Sequence, residues 1–243
     1  MFSEIDNLKT KLDSHRPLPA SVVSNLHEDL ILRWTYHSNA IEGNTLTLLE
    51  TKVVLEGITI GGKSMREHFE AINHRDAIAY VESLVQKPEA LTEWDIRSTH
   101  RLVLKNIDND NAGRYRNVNV VIAGAKHSPP DFLVVPEKMA SFVSSYQIDG
   151  MHPVERAARV HVDFVGIHPF VDGNGRSSRL LMNLELMKSG FPPVVITVEQ
   201  RLRYYQALDT AHVEGNYQPF IELITEAVEQ SFTPYFSALG VKP

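Results

Sequence analysis

The segment from Ile167 to Asn183 reads IHPFVDGNGRSSRLLMN and gathers a histidine, a carboxylate, two glycines and two arginines around one turn. His168 precedes Pro169, and a residue before proline is pushed out of helical geometry, so the imidazole stands at a helix end. A histidine held this way is a candidate general base near neutral pH. Asp172 offers one hard oxygen ligand, and one carboxylate plus substrate phosphates is the usual way a protein binds Mg²⁺. Gly173, Asn174 and Gly175 form a turn free to reach positive φ, and its successive N–H groups can make an anion nest. The helix predicted to start near Arg176 aims its positive end at that nest. Arg176 and Arg179 project from one side of its first turn, an unfavourable place for two guanidinium groups unless an anion joins them. Together these residues read as a polyphosphate site beside a base.

A second constellation lies upstream, where Ser38 to Asn44 reads SNAIEGN. Ser38 and Glu42 are one helical turn apart, which is one residue too far for a capping box. Gly43 ends the helix, so Glu42 stands at a helix C-terminus, where the dipole disfavours a carboxylate. Two other matches carry less. Gly57 to Ser64 reads GITIGGKS and fits the phosphate-loop pattern letter for letter. A true phosphate loop follows a buried strand, and only Val53-Val54-Leu55 precedes this one, so it reads as a Gly-rich turn capped by Ser64. Asp108 to Gly113 reads DNDNAG, but a calcium loop would need other residues than Ala112 and Asn119 at its fifth and twelfth positions. It reads as an Asn/Asp-rich turn. His68 and His74 are too far apart to share a helix face and read as ordinary surface or half-buried histidines.

These residues need elements to position them. The chain has 243 residues, 43% hydrophobic and 22% charged, which gives one large domain or two small ones and excludes a disordered chain, a collagen fibre or a coiled-coil rod. Its 24 Lys plus Arg against 30 Asp plus Glu argue against a general nucleic-acid binder. With no cysteine, a disulfide framework, a Cys zinc site and a Cys nucleophile are excluded, and a reducing compartment suits the chain. The polar N-terminus lacks a signal-peptide core and no apolar run approaches about 18 residues, so a cytoplasmic protein without membrane contact is expected. Helical spacing predicts helices over Ala20 to Glu42, Thr47 to Glu56, Ser64 to Leu84, Thr92 to Asn106, Glu137 to Tyr146, Pro153 to Ile167 and Arg176 to Lys188. One or two more follow between Glu199 and Phe232. Asn117 to Ile122 and Phe132 to Val135 read as the strands of a β-hairpin. The expected fold is an all-α bundle with one small hairpin, broken near residue 90 where Pro88 punctuates the pattern.

HPFVDGNGRSSR matches in full the H-P-F-x-[DE]-G-N-G-R-x-x-R signature, and on these residues the chain resembles the Fic-domain proteins. The likeness runs from about residue 36 to residue 230 and includes the hairpin and the GFPPVVI segment. It implies a Fic-type helical bundle with a β-hairpin flap. An N-terminal helical region over 1–90 would carry an inhibitory helix at about 20–43, followed by a catalytic core over 91–232 and a tail over 233–243. It implies a protein adenylyltransferase that moves AMP from ATP to a Ser, Thr or Tyr hydroxyl of a target protein. His168 would be the base and Asp172 the Mg²⁺ ligand. Asn174 and the amides around Gly173 and Gly175 would orient the phosphates, with Arg176 on the β-phosphate and Arg179 on the γ-phosphate. Val120, Val121 and Ile122 would form a flap that pairs with an extended target segment. Tyr204 and Tyr205 would line the adenine pocket, with His212 near the place of the asparagine that often follows them. SNAIEGN is similar to the family's inhibitory pattern [ST]-x-x-x-E-[GN], so Ser38, Glu42, Gly43 and Asn44 would form the inhibitory turn. Glu42 would pair with Arg179 in the γ-phosphate's place, and in some relatives the same glutamate serves AMP removal. Relatives also dimerise through the core, so a homodimer is open. Two alternatives stand beside this reading: a Fic-fold transferase using UTP or CDP-choline, and a silenced regulatory or toxin-type binding module. The intact Gly173-Asn174-Gly175 segment argues against a phosphate-transferring branch, and the intact His168 argues against the silenced module.

Overall fold

The computed structural model describes residues 1–87, 89–145 and 150–242. In chain order its helices are α1 (Ser3–Asp13), α2 (Ala20–Ile41), α3 (Leu48–Leu55), α4 (Met65–Val85), α5 (Glu93–Leu104), α6 (Val135–Ser145), α7 (Pro153–Ile167), α8 (Asn174–Lys188), α9 (Arg201–Glu214), α10 (Gln218–Ser231) and α11 (Thr233–Leu239). Short 3-10 turns at Phe132–Val134 and Val198–Gln200 lead into α6 and α9. Pro88 and Tyr146, expected at two helix ends, lie outside the described residues. The N-terminus and the segment 233–243 show no helical signal strong enough to be read from pattern alone. They nevertheless carry α1 and α11, which bury Ile5, Leu12 and Phe236.

Local chemistry sets several helix starts. Thr47, Ser64 and Thr92 each accept the N–H of the residue three positions on, and Glu50, Glu67 and Asp95 return a carboxylate to the cap, so α3, α4 and α5 open on capping boxes. The box at Ser64 also disposes of the GITIGGKS match. Helix α3, not a strand, precedes it, and Lys63 Nζ is spent on Thr45 O at 2.5 Å with Glu50 at 3.6 Å.

Helix α8 is packed along α7 and against α4, α5 and the end of α2, while α9 and α10 cover α7 from the other side. A helix buried nearly all round is normally apolar. This one buries Asn174, Arg176, Ser177, Ser178, Arg179, Asn183 and Glu185 beside its leucines, and burying such groups costs free energy unless they find partners. At its C-terminal half the partners are structural. Asn183 exchanges two hydrogen bonds with the backbone of Val194, and Glu185 pairs with Arg156 at 2.7 Å. The polar residues of its first turns make the site described below.

The predicted hairpin is not present: among the described residues there is no strand. The Val-rich run 117–122 is an irregular loop that bends at 117–118, and Phe132–Val134 is a 3-10 turn. Pro129 and Pro130 have no N–H to donate, so a ladder cannot form there. Side chains hold the loop instead. Asn119 donates to Asp131 at 2.9 Å and accepts from Phe132 N at 2.9 Å, and Arg116 donates to Val118 O and Pro130 O.

Both His68 and His74 are buried, because α4 lies between α2 and α3 on one side and α5 and α8 on the other. His68 bonds Ser64 O and Ile60 N, while His74 has neither ring nitrogen paired among the described residues. Burial pushes the pKa of His74 and His161 well down, and that of His100 to about 4. The unfolded value is near 6.5, so as pH falls the unfolded chain takes up protons first. Stability is therefore complete above about pH 6.5 and is lost below it, at about 1.4 kcal/mol per histidine per pH unit. A melting temperature that falls steadily from about pH 7 to about pH 5 is the expected result of a calorimetric pH series; a flat profile would contradict these neutral histidines.

Candidate active site

Helix α7 ends at His168, which takes the left-handed conformation (φ 49, ψ 58) that few residues other than glycine adopt. Three bonds hold it there. Its N–H donates to Phe164 O at 3.0 Å, and its carbonyl accepts from Arg116 Nε at 2.9 Å. Its Nδ1–H donates to Val165 O at 3.3 Å, leaving the Nε2 lone pair as the free acceptor. Burial pushes its pKa down to about 4, outweighing the Val165 carbonyl and the Glu42 carboxylate, which pull it up. The imidazole is thus neutral and ready to accept a proton.

The loop that follows is clamped from within. Asn174 Oδ1 accepts from Phe170 N at 3.0 Å and its Nδ2 donates to Phe170 O at 2.8 Å, so this amide closes the loop on itself. His100 lies stacked on Phe170 at 3.5 Å, donates from Nε2 to Asp172 O at 2.8 Å and accepts Gly113 N at 2.9 Å on Nδ1. Gly173 caps α8 at φ 77, and a Cβ there would come within 3.2 Å of the His100 ring and Val103. Helix α8 therefore begins at Asn174, two residues before the expected Arg176. Asp172 Oδ1 accepts from Gly173 N and from Arg176 Nη2 at 3.1 Å, and its Oδ2 accepts from Arg66. Burial raises the Asp172 pKa, but Arg176, the Gly173 N–H and Arg66 outweigh it, and the carboxyl stays below its ordinary value.

Arg176 and Arg179 are each only 2% exposed. Arg176 Nε and Nη1 have no hydrogen-bond partner among the described residues, with Glu70 Oε1 3.5 Å from Nη1. Arg179 is fully engaged by the end of α2 together with Tyr204 of α9. It donates to Ser38 Oγ at 3.0 Å, Ser38 O at 2.8 Å, Glu42 Oε1 at 2.8 Å and Tyr204 OH at 3.2 Å. A Cβ on Gly175 would overlap Glu42 Oε1. The Glu42 carboxylate thus lies against bare backbone at the positive end of α8, where an anion belongs. Its awkward place at the end of its own helix is explained by the helix it reaches. Gly43 turns the chain at φ 97, and Asn44 Nδ2 fixes the turn by donating to Glu67 O and Glu70 Oε2.

The two tyrosines separate. Tyr204 is 1% exposed behind Arg179, with its hydroxyl 3.0 Å from His161 Nε2. Tyr205 is 40% exposed and donates to Ile41 O at 3.2 Å, on the last turn of α2. His212 donates to Val162 O at 2.8 Å and sits against Gly166, where a side chain could not fit. On the loop, Val121 is 93% exposed between half-buried Val120 and Ile122. Sequence pattern did not mark His100, Arg116, Arg66, Glu70 or His161. Arg66 and Glu70 stand at i,i+4 spacing on α4, a signal of a helix-surface ion pair and not of a site, and each of the five also works through a partner distant in the chain.

The helical bundle, with a histidine at the end of one central helix and an arginine-rich glycine turn opening the next, defines the class. The Fic/DOC family model matches residues 90–186. The chain is 38% identical over 248 residues to a protein adenylyltransferase Fic of Nematostella vectensis, covering 100% of this chain and 57% of that protein. It is 42% identical over 213 residues to one of Drosophila grimshawi, covering 86% and 43%. Its structure superposes with a TM-score of 0.92 on a Fic domain-containing signalling protein from Bacteroides thetaiotaomicron, 31% identical, covering 99% of this chain and 98% of that one. With Fic-1 from C. elegans the TM-score is 0.87 at 35% identity, covering 98% and 72%. The chain belongs to the Fic/DOC family. It spans about half the length of the curated relatives it matches. Among the described residues no helix is long and apolar enough to cross a membrane.

Proposed function

We propose that this chain is a protein adenylyltransferase held at rest by Glu42. The observation that carries the reading is the buried Arg179 guanidinium, paired with a carboxylate from another helix at an anion position. The adenylyltransferase names of the relatives support AMP as the group moved. In this reading the target hydroxyl attacks the α-phosphate of ATP, the Pα–O bond to pyrophosphate breaks, and His168 Nε2 takes the hydroxyl proton. Arg179 receives the γ-phosphate once Glu42 leaves, and the unpartnered donors of Arg176 receive the β-phosphate. The amides at Gly173 and Gly175 add fixed dipoles, and Tyr205 forms an open wall for the base. Asp172, ionised and 41% exposed in its side chain, fits a Mg²⁺ ion bound through one carboxylate and substrate phosphates. When bound, the ion neutralises phosphate charge. The loop at Val120, Val121 and Ile122, with Val121 exposed, offers the backbone between Val118 and Ile122 to a target segment.

The test offers the Glu42→Gly chain α-phosphate-labelled ATP, α-phosphate-labelled UTP and choline-labelled CDP-choline in separate reactions with a cell lysate. Label from ATP alone is expected on protein. Label from UTP or CDP-choline instead would replace AMP by another group, and label from none would favour a binding module.

Arg116 is a positioning residue in this scheme. Its buried side chain donates to His168 O, Val118 O and Pro130 O, and its N–H donates to Pro169 O at 2.9 Å, so one group ties the base to both limbs of the docking loop. In the Glu42→Gly background, Arg116→Met is expected to cut transfer to protein by about a hundredfold through misplacement of the base and the loop. ATP affinity, read by calorimetric titration, is expected to stay unchanged. An equal loss of ATP affinity would place Arg116 in nucleotide binding instead.

A further inference from the structure

Both oxygens of Asp172 are held by arginines in this structure. Arg176 Nη2 takes Oδ1 at 3.1 Å, and Arg66 Nη2, from the first turn of α4, takes Oδ2 at 2.5 Å. The two arginines differ in freedom. The Arg176 side chain is 3% exposed and locked in the bundle, whereas that of Arg66 is 56% exposed and can swing into solvent. Any cation that binds the Asp172 carboxylate on its outer side meets Arg66 there first.

We propose that Arg66 is a resident counter-cation that holds Asp172 in the nucleotide-free protein and must release it before a divalent metal binds. The proposal rests on the reading of Asp172 as the metal-binding carboxylate. It makes the resting site a matched pair of internal surrogates. At one end Glu42 gives Arg179 the negative charge of a phosphate, and at the other Arg66 gives Asp172 the positive charge of a metal. Glu70 joins the two ends. It accepts from Arg66 Nε at 3.1 Å on Oε1 and from Asn44 Nδ2 at 2.9 Å on Oε2, and Asn44 belongs to the turn that carries Glu42. A metal ion on Asp172 Oδ2 would take the position that Arg66 Nη2 holds at 2.5 Å, and the two positive charges repel, so metal binding and the Arg66 contact compete.

The experiment measures Mn²⁺ affinity by electron paramagnetic resonance of the free ion, with α,β-methylene-ATP present. The protein is the full chain carrying Glu42→Gly. Adding Arg66→Ala is expected to tighten Mn²⁺ binding about two- to fivefold, the scale of releasing a half-exposed ion pair. Adding Arg75→Ala, which removes the same charge from α4 at a residue paired with Asp76, is expected to change nothing. Adding Asp172→Ala is expected to weaken Mn²⁺ binding and to abolish the gain from Arg66→Ala. Unchanged or weaker binding in Arg66→Ala, or an equal gain in Arg75→Ala, overturns the role of Arg66 while leaving the metal carboxylate standing. Affinity indifferent to Asp172→Ala overturns the metal reading itself.

Discussion

Replacing Glu42 by glycine is expected to raise AMP transfer about ten- to a hundredfold and, in the same variant, to lower the melting temperature of the nucleotide-free protein. Both effects have one cause. The Glu42 carboxylate makes a charge-assisted hydrogen bond to Arg179 at 2.8 Å, and such bonds are worth about 1.5–3 kcal/mol. ATP must displace that contact before its γ-phosphate reaches Arg179, so the energy is subtracted from productive nucleotide binding. Removing the carboxylate returns it, and each 1.4 kcal/mol is about tenfold. The cost appears in the empty protein, where Arg179 stays buried with its charge uncompensated. Its remaining bonds to Ser38 and Tyr204 limit that cost without removing it. Added ATP supplies the missing anion. The thermal shift produced by ATP is therefore expected to be larger in Glu42→Gly than in wild type. Equal shifts in the two proteins, or an unchanged rate, would show that the Glu42–Arg179 pair is not what holds the site at rest.

How much of this was readable beforehand depends on distance along the chain. Residues 168–179 are contiguous, and each type has a local chemical reason, so their grouping was legible. The start of α8 was misplaced by two residues because Gly173 caps it at φ 77 under the packed His100 ring, a tertiary fact. From its own neighbours Glu42 showed only as a residue that broke local rules, and its pairing with Arg179 was legible through the family resemblance alone. Its reason lies 137 positions away, on Arg179. The valines at 118 and 120–121 carry β propensity, but propensity cannot say whether a partner strand exists, and two prolines removed it. Arg116, His100 and His161 were illegible because a buried polar residue that bonds remote backbone or a remote hydroxyl leaves no periodicity. Helix α1 rests on few apolar positions, chiefly Ile5 and Leu12, too sparse a pattern to declare itself before α10 is there to receive it.

The second large effect belongs to His168. In the Glu42→Gly background, His168→Ala is expected to reduce transfer by about 10²–10⁴-fold, the usual contribution of a positioned base, with ATP affinity unchanged. A mutation alone cannot separate a base from a residue that merely shapes the loop, so the decisive measurement is the pH profile. Burial sets the His168 pKa near 4, and removing the Glu42 carboxylate, which pulls it up, moves it no higher. The basic form is then nearly complete above about pH 5, and the single-turnover rate is expected to be flat from there to about pH 7.5. An ordinary histidine would halve the rate near pH 6.5. Short reactions are needed, because the buried His74, His100 and His161 weaken the fold over the same range. A midpoint near 6.5 would mean that the imidazole is solvated when it acts, and hence that the loop opens before chemistry. A flat profile would mean that the base stays buried through the reaction. A base this weak can take the proton only after the hydroxyl oxygen has begun to bond to phosphorus, when that proton has become acidic enough to leave.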